Sequence, residues 1–454
     1  MGGDPADGLT LELARRASTL SYDDLPGPVR AVARQCVLDT IGVTLAGADD
    51  ALVRMLLEEL VEAGGAEQAS VVGHAVRLPA LSAALVNGAA SHALDYDDVN
   101  LSMPGHPSVA ILPGLLALAE LRGSAGPEVI TAFVAGYETA CRIGEALIPG
   151  HYDLGFHATG TVGCLGAAAA CARLLGLDVE ATARAIGIAG TQAAGLKSQF
   201  GTMCKPFHAG KASQSGLLAA RLAARGFSSR TDLVECEQGF ALTHGPDFNP
   251  ARALAEPPGG FHVLRNLFKY HAACYLTHGP IESARTVRER HGVRPEQIER
   301  IALRLDRSTN RVCNIPAPAD GLQSKFSLRQ TVAMALSGVD TASLTVYNAA
   351  NANDPALVAL REKVELDFQE GWPQAAAEID VVLTDGQVLS AAHDAGVPSA
   401  DVDAQGRRLA GKFDALVEPV LGADRTATLR GAIEGLDGLA DAGEVCRLAA
   451  RPSA

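Results

Sequence analysis

Ala158-Thr159-Gly160-Thr161-Val162-Gly163-Cys164-Leu165-Gly166-Ala167-Ala168-Ala169-Ala170-Cys171-Ala172-Arg173-Leu174-Leu175 decides the fold class. The run is too long for an ordinary strand, and alanine is the strongest helix former, so it reads as a helix from Ala158 to about Leu175. The whole chain shares this character. Of its 454 residues 48% are hydrophobic but only 4% aromatic, with alanine and glycine supplying much of the apolar content. Such a composition suits closely packed helices better than an aromatic-rich β-sandwich.

Working outward from this run, the same pattern repeats toward both ends. Towards the N-terminus helices are expected at about Val129–Ile148 and Pro107–Arg122. An alanine-rich one follows at Leu81–Leu94, then Ala51–Ala63 stopped by Gly64-Gly65, and two between Leu9 and about Ala46 that divide at Pro26-Gly27-Pro28. Ala69–Gly73 and Val76–Leu78 form a small hairpin. Towards the C-terminus Val179–Gly195 is helical, and another helix runs to about Arg225. After about Phe261 the pattern changes. Ile298–Leu305 alternates as a strand, Ser324–Ser337 is helical, and Glu378–Thr384 turns at Asp385-Gly386 into Gln387–Leu389 as a hairpin. Helical patterning returns from about Gln405 to Leu448. The expected fold is mainly α: a large helical domain over residues 1–265, joined by 401–454, with a smaller α+β lid over 266–400.

The formal net charge of −14 argues against nucleic-acid binding. No apolar run is long enough to span a membrane, and Met1–Gly8 has the character of a loose tail without a leader, so a cytoplasmic chain is expected. Nine scattered cysteines, with no C-x-x-C pair, argue against disulfides, structural zinc and iron–sulfur clusters. Most are expected as small core residues, Cys204 and Cys274 included. There is no G-x-G-x-x-G after a strand, no Walker A and no G-x-S-x-G, so nucleotide cofactors and serine hydrolysis have no support.

Within this acidic chain, Ala181–Thr231 holds no Asp or Glu, but it contains Arg184, Lys197, Lys205, Lys211, Arg221, Arg225 and Arg230, with His208 beside them. A basic segment of this kind suits an anion. Proline favours the first position of a helix, which places Lys205, before Pro206, at a helix mouth where free backbone N–H groups add to its charge. His106 stands in the same relation to Pro107, and His157 precedes the helix that begins at Ala158. Three basic residues at three helix mouths would form a receptor for a substrate with several carboxylates if those mouths meet. They would also supply acid and base groups.

Asp95, Asp97 and Asp98 raise the question of a divalent cation. Asp95 and Asp97 point differently according to whether the local chain is helical or extended, and turn formation and capping are favoured over metal binding, with Asp95 orienting a neighbouring His or Lys. Lys269-Tyr270-His271-Ala272-Ala273-Cys274-Tyr275-Leu276-Thr277-His278 crowds basic and aromatic groups where the composition changes, a place suited to a pocket wall.

His92-Ala93-Leu94-Asp95-Tyr96-Asp97-Asp98, His106-Pro107-Ser108, Gly155–Gly160, Lys205-Pro206 through Gly210, and Lys325-Phe326-Ser327-Leu328 together resemble the MmgE/PrpD family, in order and over most of the chain. That family includes 2-methylcitrate dehydratase, cis-aconitate decarboxylase and iminodisuccinate epimerase. The resemblance implies a homodimer and a site between the domains that needs no cofactor or metal. It also implies catalytic or binding roles for Asp95, His106, His157, Lys205 and Lys269. Lys197, His208, Cys274, His278 and Gln330 are further candidates for substrate contact. Three departures fall at such positions: Val99 where many members have Thr, Gln330 beside Arg329 where a Tyr is common, and Cys274 where some have His. The shared chemistry is a carbanion formed or collapsed beside a carboxylate. The first expectation is therefore a lyase that dehydrates, or else decarboxylates, a citrate-like polycarboxylate. An epimerase returning the same α-proton is the alternative, and a binding protein that has kept the fold is a third.

Overall fold

The computed structural model describes residues 8–451, so the expected tail at Met1–Gly8 lies, but for Gly8, outside the described residues. The chain divides into two compact units. The first runs to Phe268 and resumes at Ala400; the second is Lys269–Ser399. No helix among the described residues is long and apolar enough to cross a membrane.

The first unit is built from α1 (Leu9–Thr19), α2 (Gly27–Gly47), α3 (Ala51–Ala63), the two-residue pair β1 (Ala69–Ser70) and β2 (Arg77–Leu78), and α4 (Ala80–His92). It continues through α5 (Pro107–Arg122), α6 (Gly126–Leu147), the short α7 (Gly150–Asp153), α8 (Ala158–Leu174), α9 (Val179–Gly190) and α10 (Cys204–Ala223). Two short helices, α11 (Phe240–His244) and α12 (Pro250–Leu254), lead towards the second unit.

The alanine-rich helix α8 is buried along almost its whole length, as its composition requires. Small residues let its neighbours approach at backbone distance. A Cβ on Gly210 of α10 would lie 2.3 Å from the Leu85 carbonyl oxygen of α4 and 3.0 Å from the Ala89 amide nitrogen. Both neighbours are backbone atoms that cannot rotate away. Gly210→Ala is therefore expected to destabilise the protein by roughly 1–3 kcal/mol, overriding the helix-propensity gain. At the exposed helical position Gly411, where nothing lies within 4 Å, the same change should be neutral or stabilising. Urea or thermal melts of the two variants check this, and equal shifts would contradict it.

Helix starts follow local chemistry. Asp50 and Asp178 cap α3 and α9 through their carboxylates, accepting from Leu52 N and Ala181 N. His106 and His157 occupy the N-cap positions of α5 and α8. Lys205 departs from expectation: α10 begins at Cys204, so Lys205 lies inside its first turn and Pro206 is the third residue. The first amides of a helix have no intrahelical acceptor, so proline costs no hydrogen bond there. Cys204 is exposed at this start rather than part of the core.

The second unit contains α13 (His278–His291), β3 (Ile298–Asp306), α14 (Gly321–Ser324), α15 (Leu328–Leu336), α16 (Ala349–Ala352), α17 (Pro355–Arg361), β4 (Val364–Gln369), β5 (Ala376–Leu383) and β6 (Val388–Asp394). Its sheet has the order β4-β3-β5-β6, with β3 and β4 parallel and the other pairs antiparallel. Burial alternates along β5, placing Ala377, Ile379, Val381 and Leu383 in the core, and Gly386 (φ 87°) makes the expected turn into β6. The helix expected over Ser324–Ser337 is instead broken. Lys325–Ser327 lie outside both short helices, Ser327 is extended, and its hydroxyl caps α15 by accepting from Gln330 N. After Ala400 the chain rejoins the first unit as α18 (Val402–Leu421), α19 (Ala423–Glu434) and α20 (Gly443–Ala449).

Candidate active site

Helix α4 ends at His92, and residues 93–106 form a loop to α5. Within it Asp95 takes a left-handed conformation (φ 52°), which asparagine and aspartate tolerate better than most residues. The loop is therefore neither helical nor extended at this point. Ligand-type atoms of His92, Asp95, Asp97 and His106 all lie within 4.8 Å of one another.

Buried Asp97 sits between two imidazoles. His92 Nδ1 lies 2.9 Å and 3.0 Å from its two oxygens. His106 Nδ1 is 2.9 Å from Asp97 Oδ2, close as an ion pair but out of line for a hydrogen bond. Burial opposes charge on Asp97, but the two histidines outweigh it and hold the carboxyl well below the usual carboxylate range. His106 Nε2 faces Asp95 Oδ1 at 3.7 Å, and Lys205 Nζ is 2.8 Å from the same oxygen.

His157 completes the cluster. Its ring stacks on His92 at a centroid distance of 5.8 Å, and its Nδ1 is 3.1 Å from Nδ1 of His208. The Phe200 and His157 rings meet edge to face with centroids 5.0 Å apart, and Lys205 Nζ lies 5.4 Å from the Phe200 ring centroid. Burial, then His92, Lys205, His106 and His208, push the His157 imidazole well below its ordinary value, so it is uncharged near neutrality. The N-cap of α5 is tied to the first turn of α8, because His106 N donates to Thr159 Oγ1 at 3.0 Å. The loop is also pinned at Val99, which exchanges backbone hydrogen bonds with Leu267. Asp98 accepts from the Ser108 hydroxyl in the first turn of α5.

Asp95, His106, His157, Lys205 and His208 thus lie together in one unit. Lys197 does not join them; its ammonium donates to Tyr152 O at 2.9 Å and lies 3.4 Å above the Tyr152 ring. Lys269, Cys274, His278 and Gln330 are buried in the second unit. The Gln330 amide is engaged there, donating to Asn351 O and accepting from Arg361. His278 packs against His271 and Tyr275. Of the cluster, His92 carried no assigned role in the sequence reading, and Asp97 only turn formation and capping. The available signal was a histidine closing an apolar helix five residues before an aspartate.

The same burial makes stability depend on pH. Burial pushes His92, His151 and His262 down to about 4, and His157 and His278 well below 6.5. Burial also raises Asp98 and Glu138 to about 7. His208 and His244 move with the first group and Glu235 with the second. Below pH 6.5 the unfolded chain therefore binds more protons at the histidines than the folded chain holds on the carboxyls. Stability falls on acidification, and one imidazole moved from 6.5 to about 4 is worth roughly 3 kcal/mol. The melting temperature is expected to drop steadily from pH 6.5 to 4.5; a flat or rising profile would contradict these burials.

Sequence models of the MmgE/PrpD N-terminal domain and the MmgE/PrpD C-terminal domain match residues 11–253 and 271–437. The chain belongs to the MmgE/PrpD family. Among curated relatives of this MmgE/PrpD protein, cis-aconitate decarboxylase of Aspergillus terreus is 27% identical over 96% of this chain and 94% of its own length. The Homo sapiens cis-aconitate decarboxylase is 28% identical over 98% of this chain and 95% of its own. The Mus musculus protein of that name is 28% identical, covering 92% and 89% respectively.

Proposed function

We propose that this chain is a lyase of the decarboxylase type that acts on an unsaturated tricarboxylate such as cis-aconitate. The observation that carries the reading is the Lys205–Asp95–His106 contact chain beside an uncharged His157. The relatives' activity supports decarboxylation ahead of dehydration, which the sequence reading had placed first.

The chemistry asks for what this cluster offers. In cis-aconitate one carboxylate is attached to a carbon next to the double bond. When that C–C bond breaks, CO2 leaves and the electron pair moves through the double bond to the carbon beside a second carboxylate. One proton is then taken up at that carbon. The developing enediolate is the charge to be stabilised, and a fixed ammonium is the group for it. Lys205 takes this role, oriented by Asp95. His157 and His106 form the acid–base pair, with His106 the member that has carboxylate partners for a proton. His208, 3.1 Å from His157, fixes which nitrogen of His157 carries hydrogen.

No metal is required in this reading. The side chains of His92, Asp95, Asp97 and His106 could converge on a cation, but Lys205 already places a positive charge 2.8 Å from Asp95 and would repel one. The working form is proposed to be a homodimer, as the family resemblance implies. Incubation with a panel of cis-aconitate, 2-methylcitrate, citrate and simple dicarboxylates tests the assignment. CO2 release from cis-aconitate alone supports it, and water loss from 2-methylcitrate without decarboxylation would replace it with the dehydratase reading.

A further inference from the structure

Lys412 lies on α18, more than three hundred residues along the chain from the loop it touches. Its side chain is only 5% exposed, yet it carries a charge into the interior of the first unit. Nζ is 2.6 Å from Asp39 Oδ1 on α2 and 2.7 Å from the carbonyl oxygen of Tyr96, and it sits 4.0 Å above the Tyr96 ring. Tyr96 is the residue between Asp95 and Asp97. Its carbonyl belongs to the peptide that joins the left-handed Asp95 turn to the carboxylate gripped by His92 and His106.

A non-glycine residue with positive φ persists only where its surroundings hold it. The surroundings here include the hydrogen bond from Asp95 N to His92 O, the buried Tyr96 ring and an ammonium aimed at its carbonyl. Rotation of that peptide would turn Asp95 away from Lys205 and Asp97 away from His106. A buried ion pair gives little net stability compared with apolar residues of similar size, so stability alone is a weak reason for this arrangement.

We propose that Lys412 is a positioning residue for the active site: by holding the Tyr96 carbonyl it sets the directions in which Asp95 and Asp97 leave the loop. The returning C-terminal segment thereby becomes part of the catalytic apparatus without touching substrate. This rests on the reading of Asp95, His106 and Lys205 as the working site.

The test removes the cation together with its counter-ion, so that no charge is left buried alone. Lys412→Met with Asp39→Asn is compared with wild type for melting temperature, kcat, KM and the pH profile of kcat. Lys412→Gln with Asp39→Asn, whose amides can satisfy each other but fall short of Tyr96, serves if the methionine version does not fold. The expected result is a folded protein whose kcat falls at least about tenfold while KM changes less than about threefold, with a displaced limb in the pH profile. Wild-type kcat and pH profile in a folded double variant would overturn the proposal and leave Lys412 as a core ion pair only. Lys205→Ala is measured alongside. Full activity in that variant would sink the site reading itself, independently of the result at Lys412.

Discussion

Lys205→Ala is expected to lower kcat/KM for a cis-aconitate-type substrate by about 10³-fold, close to 4 kcal/mol of transition-state stabilisation. The size follows from the chemistry. Decarboxylation sends the electron pair of the broken C–C bond through the double bond to the carbon beside a second carboxylate, so negative charge develops on that enediolate. An ammonium fixed there before the reaction does not have to reorganise as that charge appears. The Asp95 partner is what fixes it, since Nζ lies 2.8 Å from Oδ1. The fold should survive the change. The Lys205 and Asp95 side chains are 15% and 29% exposed, so Asp95 can be solvated once its partner is gone. Lys205→Arg is a sharper control, because a planar guanidinium keeps the charge but not its position. It is expected to recover only a small part of the loss. Wild-type turnover in the alanine variant would remove the charge-stabilising role altogether.

His157→Ala is expected to cost about 10²–10⁴-fold in kcat, the range associated with a positioned acid or base. Its effect on stability differs from that of Lys205, because the His157 ring is 2% exposed and packed between His92, Phe200 and His208. Deletion leaves a space, and some loss of melting temperature at pH 7 is expected. The same variant should be less sensitive to acid. His157 is uncharged in the folded protein and charged when unfolded below pH 6.5, so wild type loses stability there that the alanine variant has no cause to lose. Reduced kcat together with a flatter acid limb identifies a buried neutral base. Reduced kcat with an unchanged acid limb would show that His157 is more solvated than its surroundings imply.

The helices were legible in the sequence because their signals are local. Alanine content marked α8, Pro107 marked the start of α5, and Gly64 marked a stop. Strand β4 passed unread although Val364, Leu366 and Phe368 alternate with Glu365 and Asp367. Its parallel partner β3 lies some sixty residues earlier, so no turn announced it. At the site, the residue types and helix mouths were visible, but their convergence depends on one backbone angle. The positive φ of Asp95 cannot be deduced from a helix-or-strand alternative, and it brings Asp95 and Asp97 into one cluster. Lys412 was invisible for a different reason. A lysine in an amphipathic helix near the C-terminus reads as surface until packing places it against Asp39 and Tyr96.

The central claim is that this cluster removes CO2 from a tricarboxylate and returns one proton to carbon. Incubating the protein with cis-aconitate in D2O and following carbon and deuterium by NMR tests it most directly. The account predicts release of CO2 and a C5 product, with one deuterium incorporated at the carbon beside a carboxylate. It also predicts that both events vanish together in Lys205→Ala. Deuterium exchange into recovered substrate without loss of CO2, or hydration to a citrate-type product, would contradict it.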